Sequence, residues 1–194
     1  MMDVRLETER LILREIEEED WVSVHGYAQN PAVCRFLPWG PNTEQETKEF
    51  LRGLQAERVE EPRKRVSLGL VCRDSGEFIG GIGISRSGGD AREAEVGYCL
   101  HADYWGKGYA TEAARAMIDF GLREWHMHRI HARVDPENLG SVHVLEKCGM
   151  RREGHFRKLV WVKGEWRDRL MYAILEEEWT SPACPTRPTG PTTL

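Results

Sequence analysis

The chain has 194 residues, about one domain's worth. Its 27 Lys and Arg against 32 Asp and Glu leave a net charge of −5, which argues against direct nucleic-acid binding, since that needs a basic footprint. It is 40% hydrophobic and 30% charged, a globular balance, and no run nears the roughly 18–20 apolar residues of a membrane span.

The N-terminus, Met1-Met2-Asp3-Val4-Arg5, has no apolar stretch behind it, so no signal peptide is expected. Arg10–Ile16 alternates as a first strand, and the acidic run Glu17–Asp20 opens a helix to about Gln29, acids being favoured at a helix N-terminus. Pro38-Trp39-Gly40-Pro41 reads as a rigid loop. Thr43-x-x-Glu46 is a capping box starting a helix to about Glu60. Arg65–Arg73 and Phe78–Ser85 form a hairpin across Asp74–Glu77, and a Gly-rich loop covers Ser85–Ala91. Glu93–His101 is a strand, Gly106–Glu124 a helix, Arg129–Val134 a strand, and Asn138–Cys148 a helix ended by Gly149. Met150–Val162 and Arg167–Glu176 pair across Lys163-Gly164-Glu165. The class is mixed α/β. Residues 1–179 form one domain. In 180–194 four of the nine prolines fall within fifteen residues with one large apolar side chain, so a disordered Pro/Thr-rich tail is expected. The five cysteines are scattered and form no Cys-x-x-Cys, so a reduced, cytoplasmic protein without a cysteine-type metal site is expected.

The most informative segment is Glu93–Ala113. A strand ends near His101, a turn with Gly106 and Gly108 follows, then a helix begins. Glycines let backbone approach a ligand, and the first helical turn presents free N–H groups at the positive end of the dipole. Lys107 adds a cation. The turn suits a pyrophosphate. It is neither a Walker loop nor a full dinucleotide fingerprint, since the third glycine position holds Thr111.

Further motifs accompany this turn: Thr8-Glu-Arg-Leu-Ile-Leu-Arg14, Glu95-Val-Gly-Tyr98, Tyr104-Trp-Gly-Lys-Gly-Tyr-Ala-Thr-Glu-Ala113, Asn138-x-x-Ser141 with Glu146-Lys147-x-Gly149, and Glu153-Gly154 followed by Gly164 and Asp168. In this order the sequence resembles the GNAT superfamily of N-acetyltransferases, and within it the RimJ/RimL-like branch of ribosomal-protein-alanine N-acetyltransferases and relatives. The resemblance implies a twisted mixed sheet of six to seven strands, with helices on both faces and a splayed central strand pair. It implies that acetyl-CoA lies between Glu93–His101 and Arg129–Val134, pairing with the first near Cys99 and Leu100. The pyrophosphate would meet the turn Trp105, Gly106, Lys107, Gly108, Tyr109, Ala110 and Thr111, with Asn138 and Ser141 nearby. One departure is Asp103, where the superfamily has Gln or Arg.

Acetyl transfer to an amine needs a base, donors for the oxyanion, and a proton for the leaving thiolate. Glu95, sharing a strand face with residues 93, 97 and 99, is the first candidate base, and Asp135 at the mouth of the strand gap the second. The alternative for Glu95 is an ion-paired strand acid, and for Asp135 a turn residue before Pro136. Many superfamily members carry a Tyr acid where this chain has Leu145, so Ser141 is the substitute, its alternative being a first-turn serine bonding backbone. Two bases seen in relatives are replaced by Arg133 and the apolar Leu159-Val160-Trp161.

Trp39, Glu95 and Tyr98 are the candidate acceptor-binding residues. His126, His128 and His131 give no metal-ligand spacing, so they read as surface or edge histidines. Residues 151–169 hold seven Lys or Arg against three acids, a local +4 that suits either a 3′-phosphate, an acidic acceptor or a solvated hairpin. The resemblance makes the partner an amine acceptor, a protein N-terminus such as that of a ribosomal protein or a small amine, with no membrane, no metal and a homodimer as the assembly. The competing reading is a catalytically weak acyl-CoA sensor.

Overall fold

The computed structural model describes residues 3–87 and 92–180. Its strands are β1 (Arg5–Glu7), β2 (Leu11–Glu15), β3 (Arg65–Cys72), β4 (Phe78–Arg86), β5 (Glu93–Leu100), β6 (Arg129–Val134), β7 (Arg151–Val162) and β8 (Glu165–Leu175). The helices are α1 (Trp21–Ala28), α2 (Pro31–Cys34), α3 (Glu44–Arg58), α4 (Tyr109–Arg123) and α5 (Leu139–Lys147). The strands form one sheet in the order β1-β2-β3-β4-β5-β6-β8-β7.

Short turns make antiparallel neighbours, and every described pair is antiparallel except β5 and β6. At the β7–β8 turn both Lys163 (φ 50°) and Gly164 (φ 88°) are left-handed, the geometry that matches strand twist in a two-residue hairpin. A parallel pair needs a crossover, and α4 supplies it. The apolar faces are buried on both sides of the sheet. One core joins α4 and α5 to Leu11, Leu68, Ile84, Val96 and Ile130. The other joins α1, α2 and α3 to Ile16 and Phe78. Burial of this kind stabilises by roughly 25 cal/mol per Å² of apolar surface.

The Thr43 capping box is present: Thr43 N–H donates to Glu46 Oε2 (2.7 Å), and Glu46 N–H donates to Thr43 Oγ1 (3.3 Å). Four elements differ from the sequence reading. The sheet has eight strands rather than six or seven, because the three-residue β1 is too short to show a period. The helix expected from Glu17 begins at Trp21 after a 3-10 turn over Glu18–Asp20. The helix expected from Gly106 begins at Tyr109, since Gly106 and Gly108 both take positive φ. Between the helix end expected near Gln29 and the Pro38–Pro41 loop, α2 forms where Asn30 Oδ1 accepts from Ala32 N–H (2.9 Å) and Pro31 takes the first helical position. The Gly-rich loop expectation falls partly, and the tail expectation almost wholly, outside the described residues. Among the described residues no helix is long and apolar enough to cross a membrane.

Candidate active site

The parallel pair ends early. β5 and β6 meet at Glu93↔Arg129, Ala94↔Ile130 and Glu95↔His131, and no rung follows. Beyond this fork β5 runs on to Leu100 beside β4 alone. The direction of its backbone can be read from two bonds. Arg129 N–H donates to Arg92 O across the parallel pair, and His101 N–H donates to Ile79 O on the β4 side. Alternation then turns the backbone of Val96, Tyr98 and Leu100 toward the gap. Leu100 O is taken by the Trp105 indole N–H (2.9 Å), which leaves N–H groups of this edge for a ligand. Cys99, expected to pair with a ligand by its backbone, instead turns its backbone to β4, and its side chain lines the cleft.

That cleft has a volume of about 620 Å³. One end is the turn before α4. Gly106 (φ 72°) and Gly108 (φ 84°) are left-handed, and Gly108 caps the helix with no side chain in the way. Among the described residues, none of the N–H groups from Gly106 to Thr111 has a hydrogen-bond acceptor. Six unspent donors at the positive end of a 15-residue helix make an anion site. Trp105, Gly106, Gly108, Ala110 and Thr111 line the cleft. Lys107 turns its ammonium over the Tyr104 ring (5.3 Å), and the Tyr109 ring lies under the Arg10 guanidinium (4.5 Å). Asp103 is 82% exposed beside His101 and lies outside the cleft lining.

The other wall is α5. Asn138 Oδ1 accepts from Ser141 N–H (3.2 Å) and so fixes the first turn. Tyr98, expected with Glu95 in acceptor binding, lies on the opposite sheet face. Its hydroxyl donates to Ser141 O (3.2 Å), and burial pushes its phenol pKa upward. A hydrogen bond from the Ser141 side chain acts against that rise, and Ser141 lines the cleft.

The two candidate bases are engaged. Glu95 receives Arg133 Nε (2.9 Å) and Nη2 (2.6 Å), one guanidinium fork across both oxygens. Asp135 is 4% exposed, with Oδ2 bound by Arg167 and Arg169 (2.9 Å each) and Oδ1 by Glu137 N–H (3.0 Å). Neither carboxylate lines the cleft. Trp39, 39% exposed, also lies outside it. Phe36 and Leu37 of the same connection take that wall, and the guanidinium carbons of Arg35 (4.8 Å) and Arg167 (5.9 Å) both lie over the Phe36 ring. Part of the +4 of residues 151–169 meets acids outside the segment, since Arg167 and Arg169 share Asp135, Arg167 also meets Glu137 (3.1 Å) and Arg151 meets Glu178 (3.1 Å). His126 sits in a left-handed turn before β6, and no group of three potential ligands among the described residues could hold a metal ion.

Sequence reasoning passed over Val33, Arg35, Phe36, His143, Val144 and Lys147, all of which line the cleft. For α5 a signal existed: residues 140, 143, 144 and 147 share a helical face. For α2 it was the Asn30-Pro31 start signal.

Residues 10–151 match the family described as an acetyltransferase (GNAT) domain. The chain is similar to the uncharacterized N-acetyltransferase YnaD of Bacillus subtilis (strain 168), 38% identical over 91% of this chain and 99% of that one. It is similar to the [ribosomal protein uS5]-alanine N-acetyltransferase of Escherichia coli (strain K12), 32% identical over 91% and 93%. Among solved structures it resembles Mycobacterium smegmatis RimJ in complex with CoA-disulfide, with a TM-score of 0.78 and 26% identity over 91% and 88%.

Proposed function

The chain belongs to the GNAT acetyltransferase family, in its RimJ/RimL-like branch, and on that premise we propose that it moves the acetyl group of acetyl-CoA to a primary amine by direct attack in a ternary complex. The observation that carries this reading is the β5–β6 fork opening beside a turn with six unspent N–H groups. Acetyl-CoA supplies an activated thioester. The turn over Gly106–Thr111 would hold its pyrophosphate, and the gap-facing backbone of Val96, Tyr98 and Leu100 its pantetheine arm, with a remaining N–H as oxyanion donor.

Transfer forms a C–N bond and breaks a C–S bond. The amine's proton must go to a base, and the departing sulfur must receive one. Ser141, at the cleft wall beside the Tyr98 phenol, donates to the sulfur. Glu95 takes the amine proton after an incoming ammonium displaces Arg133, one cation replacing another on the same carboxylate. Cys99 is the one described cysteine on the cleft wall, and burial pushes its thiol up to about 12. A thiol so protonated near neutrality is a poor acetyl carrier, which supports direct attack over a covalent relay.

The acceptor is a protein N-terminal amine, such as that of a ribosomal protein, or a small amine. The assembly is a cytoplasmic homodimer in this reading, as the resemblance implies. A thermal melt with and without acetyl-CoA tests the cleft. At ~100 times its Kd the ligand stabilises by about 2.7 kcal/mol, a rise of several degrees for a chain of this size. Thiol release with a panel of peptides and small amines then tests the chemistry. Stabilisation without thiol release from any amine would support the sensor reading, which the engagement of Glu95 by Arg133 favours.

A further inference from the structure

The Thr8-Glu9-Arg10 segment lies between β1 and β2, about a hundred residues from the turn before α4, yet it is bonded to that turn. Arg10 Nη1 donates to Lys107 O (3.0 Å). Arg10 Nε donates to Glu112 Oε2 and Nη2 meets the same oxygen, both at 2.7 Å. Glu112 Oε1 is held in turn by Thr8 Oγ1 (2.6 Å) and Arg10 N–H (2.8 Å). The guanidinium lies over the Tyr109 ring at 4.5 Å. One planar group is therefore fixed to the first turn of α4 and to the middle carbonyl of Gly106-Lys107-Gly108.

We infer that Arg10 is a positioning residue that orients the Lys107–Gly108 peptide for pyrophosphate, an inference that rests on the acetyl-CoA reading above. Among the described residues the cis bonds are at Gly40-Pro41 and Glu61-Pro62, so the Lys107–Gly108 peptide is trans. In a trans peptide C=O and N–H point in opposite directions. Fixing Lys107 O on Arg10 sends the Gly108 N–H to the other side of the turn. Gly108 lines the cleft and Arg10 does not, so that side is the ligand side. Next to a glycine of positive φ, Gly108, a peptide with few steric preferences would otherwise flip and present its carbonyl to an anion. Arg10 also neutralises Glu112, the acid in the first turn of α4 and otherwise a repulsive charge beside the phosphate site. A planar fork suits this double duty. A lysine ammonium, a point charge on a flexible stem, does not reproduce it.

The test compares two thioesters, acetyl-CoA and S-acetylpantetheine, which share the acetylated arm but differ in the 3′-phospho-ADP that carries the pyrophosphate. Thiol release is measured with one accepted amine for wild type, Arg10→Ala and Arg10→Lys. In Arg10→Ala the ratio of kcat/KM for acetyl-CoA over S-acetylpantetheine falls about tenfold to a hundredfold, the range a lost hydrogen bond to a charged group corresponds to. The loss appears in KM for acetyl-CoA rather than in kcat. Arg10→Lys keeps the charge and the fold and shows the same selective loss, smaller in size, so the test survives if Arg10→Ala fails to fold. If both thioesters lose equally, or neither loses, Arg10 is a staple of the fold and the inference is overturned while the acetyl-CoA reading stands. If wild type releases thiol from S-acetylpantetheine as well as from acetyl-CoA, with equal KM, the pyrophosphate has no site and both are overturned.

Discussion

Replacing Gly108 by Ala separates the two demands placed on the turn, a left-handed backbone and a close ligand. At φ 84° the substitution forces an L side chain into the left-handed region. That costs about 1–2 kcal/mol, offset by roughly 0.4–1 kcal/mol from the stiffer unfolded chain. The new Cβ would also stand 3.3 Å from Arg10 Nη2, so the guanidinium must shift by a few tenths of an ångström, disturbing its bond to Lys107 O. The net stability loss is about 1 kcal/mol, a fall in Tm of roughly 2–4 °C. Gly106→Ala is the control. It has a similar φ, 72°, but its Cβ meets nothing within 4 Å, so it carries the backbone cost without the Arg10 contact. Scanning fluorimetry gives both Tm values, and acetyl-CoA titration gives both affinities. Gly108→Ala is expected to weaken acetyl-CoA binding at least tenfold. Wild-type affinity in Gly108→Ala, with Tm lowered as calculated, would refute the assignment of this turn to the pyrophosphate.

Four further outcomes are expected. Glu95→Gln lowers kcat for thiol release tenfold or more and leaves acetyl-CoA affinity unchanged; untouched turnover removes Glu95 as the base. Ser141→Ala lowers kcat at least tenfold while Tm falls by roughly 2–4 °C, since the side chain's hydrogen bond to the Tyr98 phenol contributes about 1 kcal/mol; a loss in Tm with kcat unchanged would make Ser141 structural. Asp135→Ala leaves the buried Arg169 without its carboxylate, costing about 3–5 kcal/mol and lowering Tm by roughly 10 °C; a stable variant lacking only turnover would return Asp135 to the list of bases. For Glu112, burial alone would raise the carboxyl, but the Thr8 hydroxyl, the Arg10 N–H and the Arg10 guanidinium hold it below its usual range. A depressed folded pKa gives stability that is present above the unfolded value, about 4.3, and is lost as pH falls through the folded one. The Tm gap between wild type and Glu112→Gln therefore narrows in melts below about pH 4.5; a gap that widens there reverses the sign of the argument.

What could be read before any coordinates were known was local or covalently nearby. Thr43 and Glu46 sit three apart on one helix end, Gly106 and Gly108 two apart in one turn, and the alternation of β2 and β3 needs no partner to be visible. The family motifs also depend on order along the chain, so their message survives without a fold. That was enough for the α/β class, the splayed pair and the glycine-bearing turn before α4. The partners of charged side chains were not legible, because pairing between Glu95 and Arg133, Asp135 and Arg169, or Arg10 and Glu112 depends on which strands and helices lie side by side, and residue type alone leaves many pairings open. The same holds for backbone direction at Cys99, which the register with β4 decides, and for Tyr98, which the pleat turns to α5 rather than to Glu95. The residues by themselves determined that a glycine-bearing turn opens a helix and that an acid-bearing strand precedes it. Only the tertiary structure decided which donors remain unspent there, because a hydrogen-bonding group is free or taken according to what the fold brings within about 3 Å of it.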